Sequence, residues 1–157
     1  MERFLSVTAL LLRRAAGFER QAGMTPKLRL NETYTRAEIH EIVGGGSLQS
    51  YLPTRRGRVL CACIDPELNP DAPGKILPGN GPTIVKSACQ LVVQAERLSI
   101  PVFLKQSSNH WKYVGHFCSM GASTEPGVIA REKARSRRQS IAMVVYLREA
   151  EALGVGA

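Results

Sequence analysis

The apolar positions of this chain recur at two spacings, one typical of helices and one typical of strands. Residues 82–98 have helical spacing, and the proline at the start of this segment suits a first turn. Residues 36–43 predict a shorter helix, because Thr35 and Glu38 form a capping box and glycines follow the segment. Residues 125–138 predict a third, basic helix that frays into a loop.

Strands are predicted where apolar and β-branched residues form short runs bounded by turn residues. Residues 58–64 predict a buried strand that follows an Arg-rich turn. Residues 100–105 and 111–117 predict a hairpin whose turn lies at residues 107–110. Residues 140–147 are apolar and β-branched and predict a closing strand.

The order of these elements predicts one α+β domain. Residues 65–82, which hold five of the nine prolines, predict an ordered or semi-ordered loop. No βαβ alternation long enough for a doubly wound sheet is visible, so a small sheet or partial barrel flanked by helices fits better. The patterned sequence begins after Met24. We therefore expect residues 1–23 to form a leader or a helix that is in or outside the fold, residues 24–150 a single domain, and residues 151–157 a loose tail.

The excess of basic residues gives the first indication of a binding partner. Lys and Arg number 21 against 13 Asp and Glu, which gives a net charge of +8, and 15 of the 21 are Arg. The planar guanidinium suits phosphate groups and base edges, so this composition favours a polyanionic partner, although a solvated basic surface explains it equally simply. The candidate contacts to nucleic acid in the basic segments are Arg55, Arg56, Lys86, Lys105, Arg131, Arg135, Arg137 and Arg138.

Cysteine usage and the first residues bear on the cellular compartment. Four cysteines are present without any Cys-x-x-Cys pair, which is simplest in a reducing cytosol. The apolar run from Phe4 to Leu12 is too short to cross a bilayer. We expect a cytoplasmic protein with no membrane partner.

The hairpin segments carry a resemblance to a known superfamily. Ile100 to Lys105 followed by a polar turn and Trp111-Lys-Tyr-Val-Gly115 resembles the hairpin of PUA-like domains, nearest to the SRA-like readers of modified bases. The resemblance extends over about Tyr34 to Leu147. It implies a small mixed, partly closed β-barrel flanked by helices, in which aromatic and polar side chains surround a flipped base.

Four further positions are candidates for contact with a base. Trp111 and Tyr113 lie two apart in a strand and share a face, so a base could stack there; the alternative is that both rings pack in the core. Asn80 precedes the N-terminus of the long helix, where it could contact a base or merely hold the turn. His110 lies in the hairpin turn.

Metal binding and catalysis are the competing hypotheses. Cys61, Cys63, His116 and Cys118 could surround zinc if their strands pair, but buried thiols explain the cysteines without a metal. A small hydrolase or nuclease would need four groups to converge on one cleft. Those groups are Asp65, Glu67, Lys105 and His110.

The sequence favours a binding module without a cofactor, a metal or a catalytic set. Nucleic acid is the predicted partner, with DNA favoured over RNA and a modified base as the finer hypothesis. The hydrolase or nuclease is one alternative. A protein-interaction module in a defence or regulatory complex, with residues 65–82 as its contact surface, is the other.

Overall fold

The computed structural model describes residues 27–44, 50–94 and 98–150. The predictions for residues 1–23 and 151–157 lie outside the described residues. The described residues form three helices, which are α1 (Arg36–Val43), α2 (Pro82–Val93) and α3 (Pro126–Ser136). They also form eight strands, which are β1 (Thr33–Tyr34), β2 (Thr54–Arg55), β3 (Arg58–Val59), β4 (Ala62–Ile64), β5 (Lys75–Ile76), β6 (Ile100–Ser107), β7 (His110–Ser123) and β8 (Val144–Glu149).

The helices begin where the sequence predicts. The capping box of α1 is confirmed, because the Thr35 side chain accepts from the Glu38 N–H and the Glu38 side chain accepts from the Thr35 N–H. Helix α2 ends at Val93, earlier than predicted, and the following residue, Gln94, is extended. The Gln94 side chain accepts a hydrogen bond from the backbone N–H of Val59, a tertiary contact that competes with continuing the helix. Residues 95–97 lie outside the described part of the chain.

Two strand predictions need correction. The predicted strand at residues 58–64 is two strands, because β3 turns back on β2 in a small hairpin while β4 joins the main sheet. Within the predicted loop at residues 65–82, β5 pairs with β8. The hairpin of β6 and β7 is confirmed, and β7 is longer than predicted because it continues past Phe117 to pair with β8.

The main sheet has six strands in the order β4-β6-β7-β8-β5, with β1 beside β7. Strands β4 and β6 are parallel and α2 lies between them in sequence, whereas the other pairs are antiparallel. The α+β class is confirmed, but the partly closed barrel is not. In the described residues the strand order is open, and its terminal strands β4 and β5 do not pair with each other.

The core consists mainly of two clusters. The first packs α2 against the sheet and includes residues from both terminal strands, among them Ile64 of β4 and Ile76 of β5. The second packs α1 through Ile39 against Phe103 and Tyr113. Among the described helices, none combines the length and apolar character that crossing a bilayer would require.

Candidate nucleic-acid interface

A cavity of about 690 Å³ is lined by residues from both terminal strands of the main sheet and from α1 and α2. Residues of β4 and β5 line it, and so do the first turn of α2, the start of α1 and the paired ends of β6 and β7. This volume is within the range of about 300–1,000 Å³ that is typical of small-molecule sites. The cavity is therefore large enough for a nucleobase with its sugar.

Two aromatic residues, Tyr51 and Trp111, line the cavity. Tyr51 packs against the first core cluster, and its hydroxyl donates to the carbonyl of Ile84 at 2.8 Å. Burial raises the pKa of Tyr51 to about 12, so the hydroxyl stays protonated and able to donate. Trp111 packs against the second cluster. Each of the two aromatic side chains therefore packs against a different core cluster.

The surroundings of Trp111 are set by the hairpin and by α1. Lys105 of β6 lies directly opposite Trp111 in the strand register, and both line the cavity. The guanidinium carbon of Arg36 lies 5.2 Å from the centroid of the Trp111 ring, a cation–π distance. Arg36 also donates from Nη2 to the carbonyl of Ser50 at 2.7 Å. Its Nη2 also lies 3.3 Å from His40 Nε2, and burial, followed by the positive charge of Arg36, lowers the pKa of His40.

Positive charge exceeds negative charge on the lining of the cavity. Arg36, Lys105 and Arg138 line it, against one carboxylate, that of Asp65. Thr83 and Ile84 of the first turn of α2 also line the cavity, and the N-cap Gly81 has no side chain to bond the free N–H groups of that turn. Free N–H groups at a helix N-terminus attract anions. The cavity is therefore suited to a ligand that carries negative charge.

Arg138 holds one wall of the cavity in place. Its Nη1 donates to the carbonyls of Leu68 and Leu77, and its Nη2 donates to that of Ser140. Burial lowers the pKa of Arg138. Its guanidinium therefore both fixes the segment that follows β4 and contributes charge to the cavity.

The structure brings together three of the predicted contact residues, namely Trp111, Lys105 and Arg138. Tyr113 is not with them. It is 8% exposed and packs on Phe103, with ring centroids 5.6 Å apart, so the core alternative holds for this residue. Trp111 packs against the same core cluster and, unlike Tyr113, also lines the cavity. Asn80 is exposed beside Gly79 of the cavity lining, and its backbone N–H donates to Ser140 Oγ.

The side chain of Arg135, a predicted nucleic-acid contact, is paired with carboxylates of the protein itself. It donates to both carboxylate oxygens of Asp71, at 2.9 and 3.2 Å, and to Glu132 at 2.8 Å. Glu132 is buried and also pairs with Lys75 at 2.8 Å. A buried carboxylate needs such partners, so Arg135 has a structural role that the sequence did not predict.

The remaining predicted contacts lie on the surface, outside the cavity lining. His110, predicted in the hairpin turn, is the first residue of β7, and its Nδ1 contacts Ser107 Oγ and the Ser108 carbonyl. The other predicted positions are exposed on the β2–β3 hairpin, on α2 and on or just after α3. They are Arg55, Arg56, Lys86, Arg131 and Arg137.

Tyr51 and Arg36 are the cavity residues that sequence reasoning missed. Tyr51 lies in an irregular segment, and its place in the cavity depends on backbone pairing of its carbonyl with the N–H of Cys63. Arg36 is the first residue of a correctly predicted helix. A search for aromatic residues outside the predicted strands would have identified Tyr51, whereas nothing local distinguishes Arg36 from the other arginines.

The zinc and hydrolase alternatives find little support in the geometry. Within residues 27–44, 50–94 and 98–150, no group of three or more His, Cys, Asp or Glu side chains is placed to hold a metal. Cys61 and Cys63 pack in the second core cluster, where a hydrogen bond from the Cys61 thiol lowers the pKa of Cys63. The four hydrolase candidates do not converge, because Asp65 and Lys105 line the cavity and Glu67 and His110 do not.

Comparisons with known proteins agree with this fold. Residues 33–143 match the model of a family described as "Domain of unknown function (DUF6697)". A solved structure titled "Crystal structure of SUVH5 SRA- hemi methylated CG DNA complex" is similar to this chain, with a TM-score of 0.52 and 11% identity. The match covers 85% of this chain and 96% of the other. The SRA-like resemblance of the fold is therefore confirmed. No curated protein matches the chain.

Proposed function

Because this chain belongs to the DUF6697 family, whose description assigns no activity, we propose a function from its own cavity: it is a DNA-binding module that receives an unpaired base. The main support for this proposal is that Tyr51 and Trp111 both line a cavity of about 690 Å³, and that most of the charged side chains on its lining are positive. Aromatic rings stack on bases, and cations and helix N-termini bind phosphate. The cavity therefore contains aromatic rings on which a base can stack and positive groups that can bind a phosphate.

DNA is the nucleic acid that the comparison favours. The similar SRA structure is, by its title, a complex with hemimethylated CG DNA. At 11% identity this likeness supports the fold alone, so the choice of DNA rests on the shared fold together with the cavity of this chain. Recognition of a modified base is the finer part of the proposal, because a base inside a cavity exposes its substituents to the walls.

The exposed arginines supply the second part of the interface. Arg55, Arg56, Arg131 and Arg137 are exposed, and all are long cations that can reach phosphates. Contacts of this kind position the protein without reading sequence, and they make affinity fall steeply with salt. We propose that these residues hold the duplex while the cavity holds the base.

The test is fluorescence-anisotropy binding of the full chain to one duplex with unmodified, hemimethylated or fully methylated CG, with matched single strands and RNA as comparison. Measurements at about 50 and about 200 mM salt determine the electrostatic part. Trp111→Ala and Tyr51→Ala each remove one ring, which lowers affinity by roughly five- to a hundredfold. Tyr51→Phe keeps the ring and serves as the matched control.

Two results would contradict the proposal. One is the absence of binding to every nucleic acid at the lower salt concentration. The other is unchanged affinity in Trp111→Ala and Tyr51→Ala proteins that melt at the wild-type temperature, since that result would place the DNA away from the cavity.

A further inference from the structure

Two residues of the cavity lining each have a side-chain donor without a hydrogen-bond partner among the described residues. The donors are Nε of Arg36 and Nε1 of Trp111, and both atoms are buried from solvent. Leaving a buried donor unpaired is costly, so such atoms in a folded protein require an explanation. Both residues line the same cavity, and they contact each other through the cation–π pair.

A third unpaired buried atom, Nε2 of Gln94, gives a useful contrast. Gln94 does not line the cavity, and its other polar atom already accepts from Val59. The unpaired donors of Arg36 and Trp111 differ because they belong to two residues that both line the cavity and contact each other. Lys105, opposite Trp111 in the register, adds a third donor there and has no ion-pair partner in the described residues.

These three side chains of the cavity lining are hydrogen-bond donors only. Arg36, Trp111 and Lys105 offer N–H groups and no acceptor oxygen, because none of these side chains contains one. Two of the three are cations. The one carboxylate on the cavity lining, Asp65, already accepts the N–H of Glu67 at 2.9 Å through Oδ1. A ligand group that satisfies these donors must therefore accept hydrogen bonds, and the excess charge favours an anion.

We propose that Arg36, Trp111 and Lys105 form a subsite that selects a nucleotide by an anionic oxygen group. This inference rests on the proposed function, since it assumes that a nucleotide enters the cavity. Two sources supply the same chemistry, a carboxylate attached to the base and the phosphate of the nucleotide. A plain methyl substituent offers no acceptor and leaves both buried donors unpaired.

The experiment uses the full chain and three small probes, deoxycytidine, its 5′-monophosphate and 5-carboxydeoxycytidine, each titrated by calorimetry. We expect the anionic probes that reach the subsite to bind at least roughly tenfold more tightly than deoxycytidine, as befits hydrogen bonds to a charged group. A gain for the monophosphate alone identifies phosphate as the source. A gain for the carboxyl nucleoside alone identifies the base substituent.

Trp111→Phe is the matched variant, because it keeps an aromatic ring and removes the indole N–H. It should reduce the advantage of the anionic probe over deoxycytidine by roughly fivefold or more. Arg36→Lys, which keeps the charge and removes Nε, should act in the same direction and serves where Trp111→Phe lowers the melting temperature. The proposal is overturned when neither anionic probe binds more tightly than deoxycytidine, or when both variants keep the full advantage.

The same proteins are assayed on duplex DNA, so that the two hypotheses fail separately. Anionic selection without duplex binding contradicts the proposed function and supports the subsite. Duplex binding that depends on Tyr51 and Trp111 rings, without selection among the probes, supports the function and contradicts the subsite.

Discussion

The side chain of Asn109, in the turn between β6 and β7, accepts a hydrogen bond from the backbone N–H of Arg36 at 2.9 Å. Arg36 is the first residue of α1, so this bond satisfies one of the free N–H groups at the start of the helix. It also fixes the distance between the helix and the hairpin. The stacking of Arg36 on Trp111 therefore depends on a residue that does not line the cavity.

This bond predicts that two substitutions of Asn109 differ in their effect on the free energy of unfolding. Asn109 has a φ of +57°, which Asp tolerates and glycine adopts without strain. Asn109→Asp keeps an acceptor for the Arg36 N–H and should be within about 0.5 kcal/mol of the wild type in urea unfolding. Asn109→Gly removes it and should cost about 1 kcal/mol. An Asn109→Gly protein as stable as Asn109→Asp would show that the bond does not anchor α1.

The arginines of the α3 segment should separate into two classes in a salt titration. Arg131 and Arg137 are exposed, and no hydrogen bond or ion pair of their side chains is found in the described residues. If each contacts one phosphate, Arg131→Gln and Arg137→Gln should each lower the slope of log affinity against log salt by about one, without changing the melting temperature.

Arg135→Gln is the matched control for this experiment. It should lower the melting temperature, because Arg135 holds Asp71 and the buried Glu132. The salt slope of its folded form should stay close to that of the wild type. A reduced slope in Arg135→Gln and an unchanged slope in the other two variants would reverse the assignment.

Stability should fall as the pH falls, partly through His40. Burial and the neighbouring Arg36 lower the pKa of His40 below its usual value of 6.5. The unfolded chain therefore binds a proton more readily than the folded one, so the contribution of His40 is fully present above pH 6.5 and is lost below it. His116, whose pKa burial also lowers, acts with the same sign.

The measurement is urea unfolding of the wild type, His40→Gln and His116→Gln at several pH values from above 6.5 downwards. Each substitution should make the pH dependence shallower, and the double substitution should remove both contributions. A His40→Gln protein with the pH profile of the wild type would mean that His40 is protonated equally well in the folded and unfolded chain.

Local signals in the sequence predicted the elements that are stabilised locally. The capping box of Thr35 and Glu38 and the alternation around the hairpin indicate α1, β6 and the first part of β7 from local sequence alone, whereas β7 continues past Phe117 through pairing with β8. Strand β5 could not be predicted, because two residues in a proline-rich segment form a strand only through pairing with β8. The end of α2 likewise depends on a distant partner, the Val59 N–H that Gln94 binds.

The candidate site divides in the same way. Lys105 and Trp111 are brought together by the register of a hairpin that the sequence predicts, so their proximity could be predicted from the sequence. Tyr51 and Arg138 reach the cavity through tertiary contacts, with the Ile84 carbonyl and with the Leu68 and Leu77 carbonyls respectively. No spacing along the chain encodes those contacts.

Two apolar side chains on the cavity lining, Leu68 and Ile84, are 50% and 38% exposed. Exposed apolar groups beside a binding cavity gain energy when a partner covers them, and side chains of this kind also separate stacked bases. We predict that Leu68→Ser and Ile84→Ser each weaken DNA binding by roughly fivefold, about 1 kcal/mol of apolar contact. The melting temperature of each variant is measured alongside its affinity, because both side chains are also partly buried in the fold.

Met120→Ser is the control for these two variants. Met120 is 61% exposed and does not line the cavity, so its substitution removes a similar apolar surface elsewhere. It should leave DNA affinity within about twofold of the wild type. Equal losses in all three variants would indicate a general effect of surface hydrophobicity. A loss confined to Leu68→Ser and Ile84→Ser would place the DNA over the opening of the cavity, because only contact with these side chains separates the three substitutions.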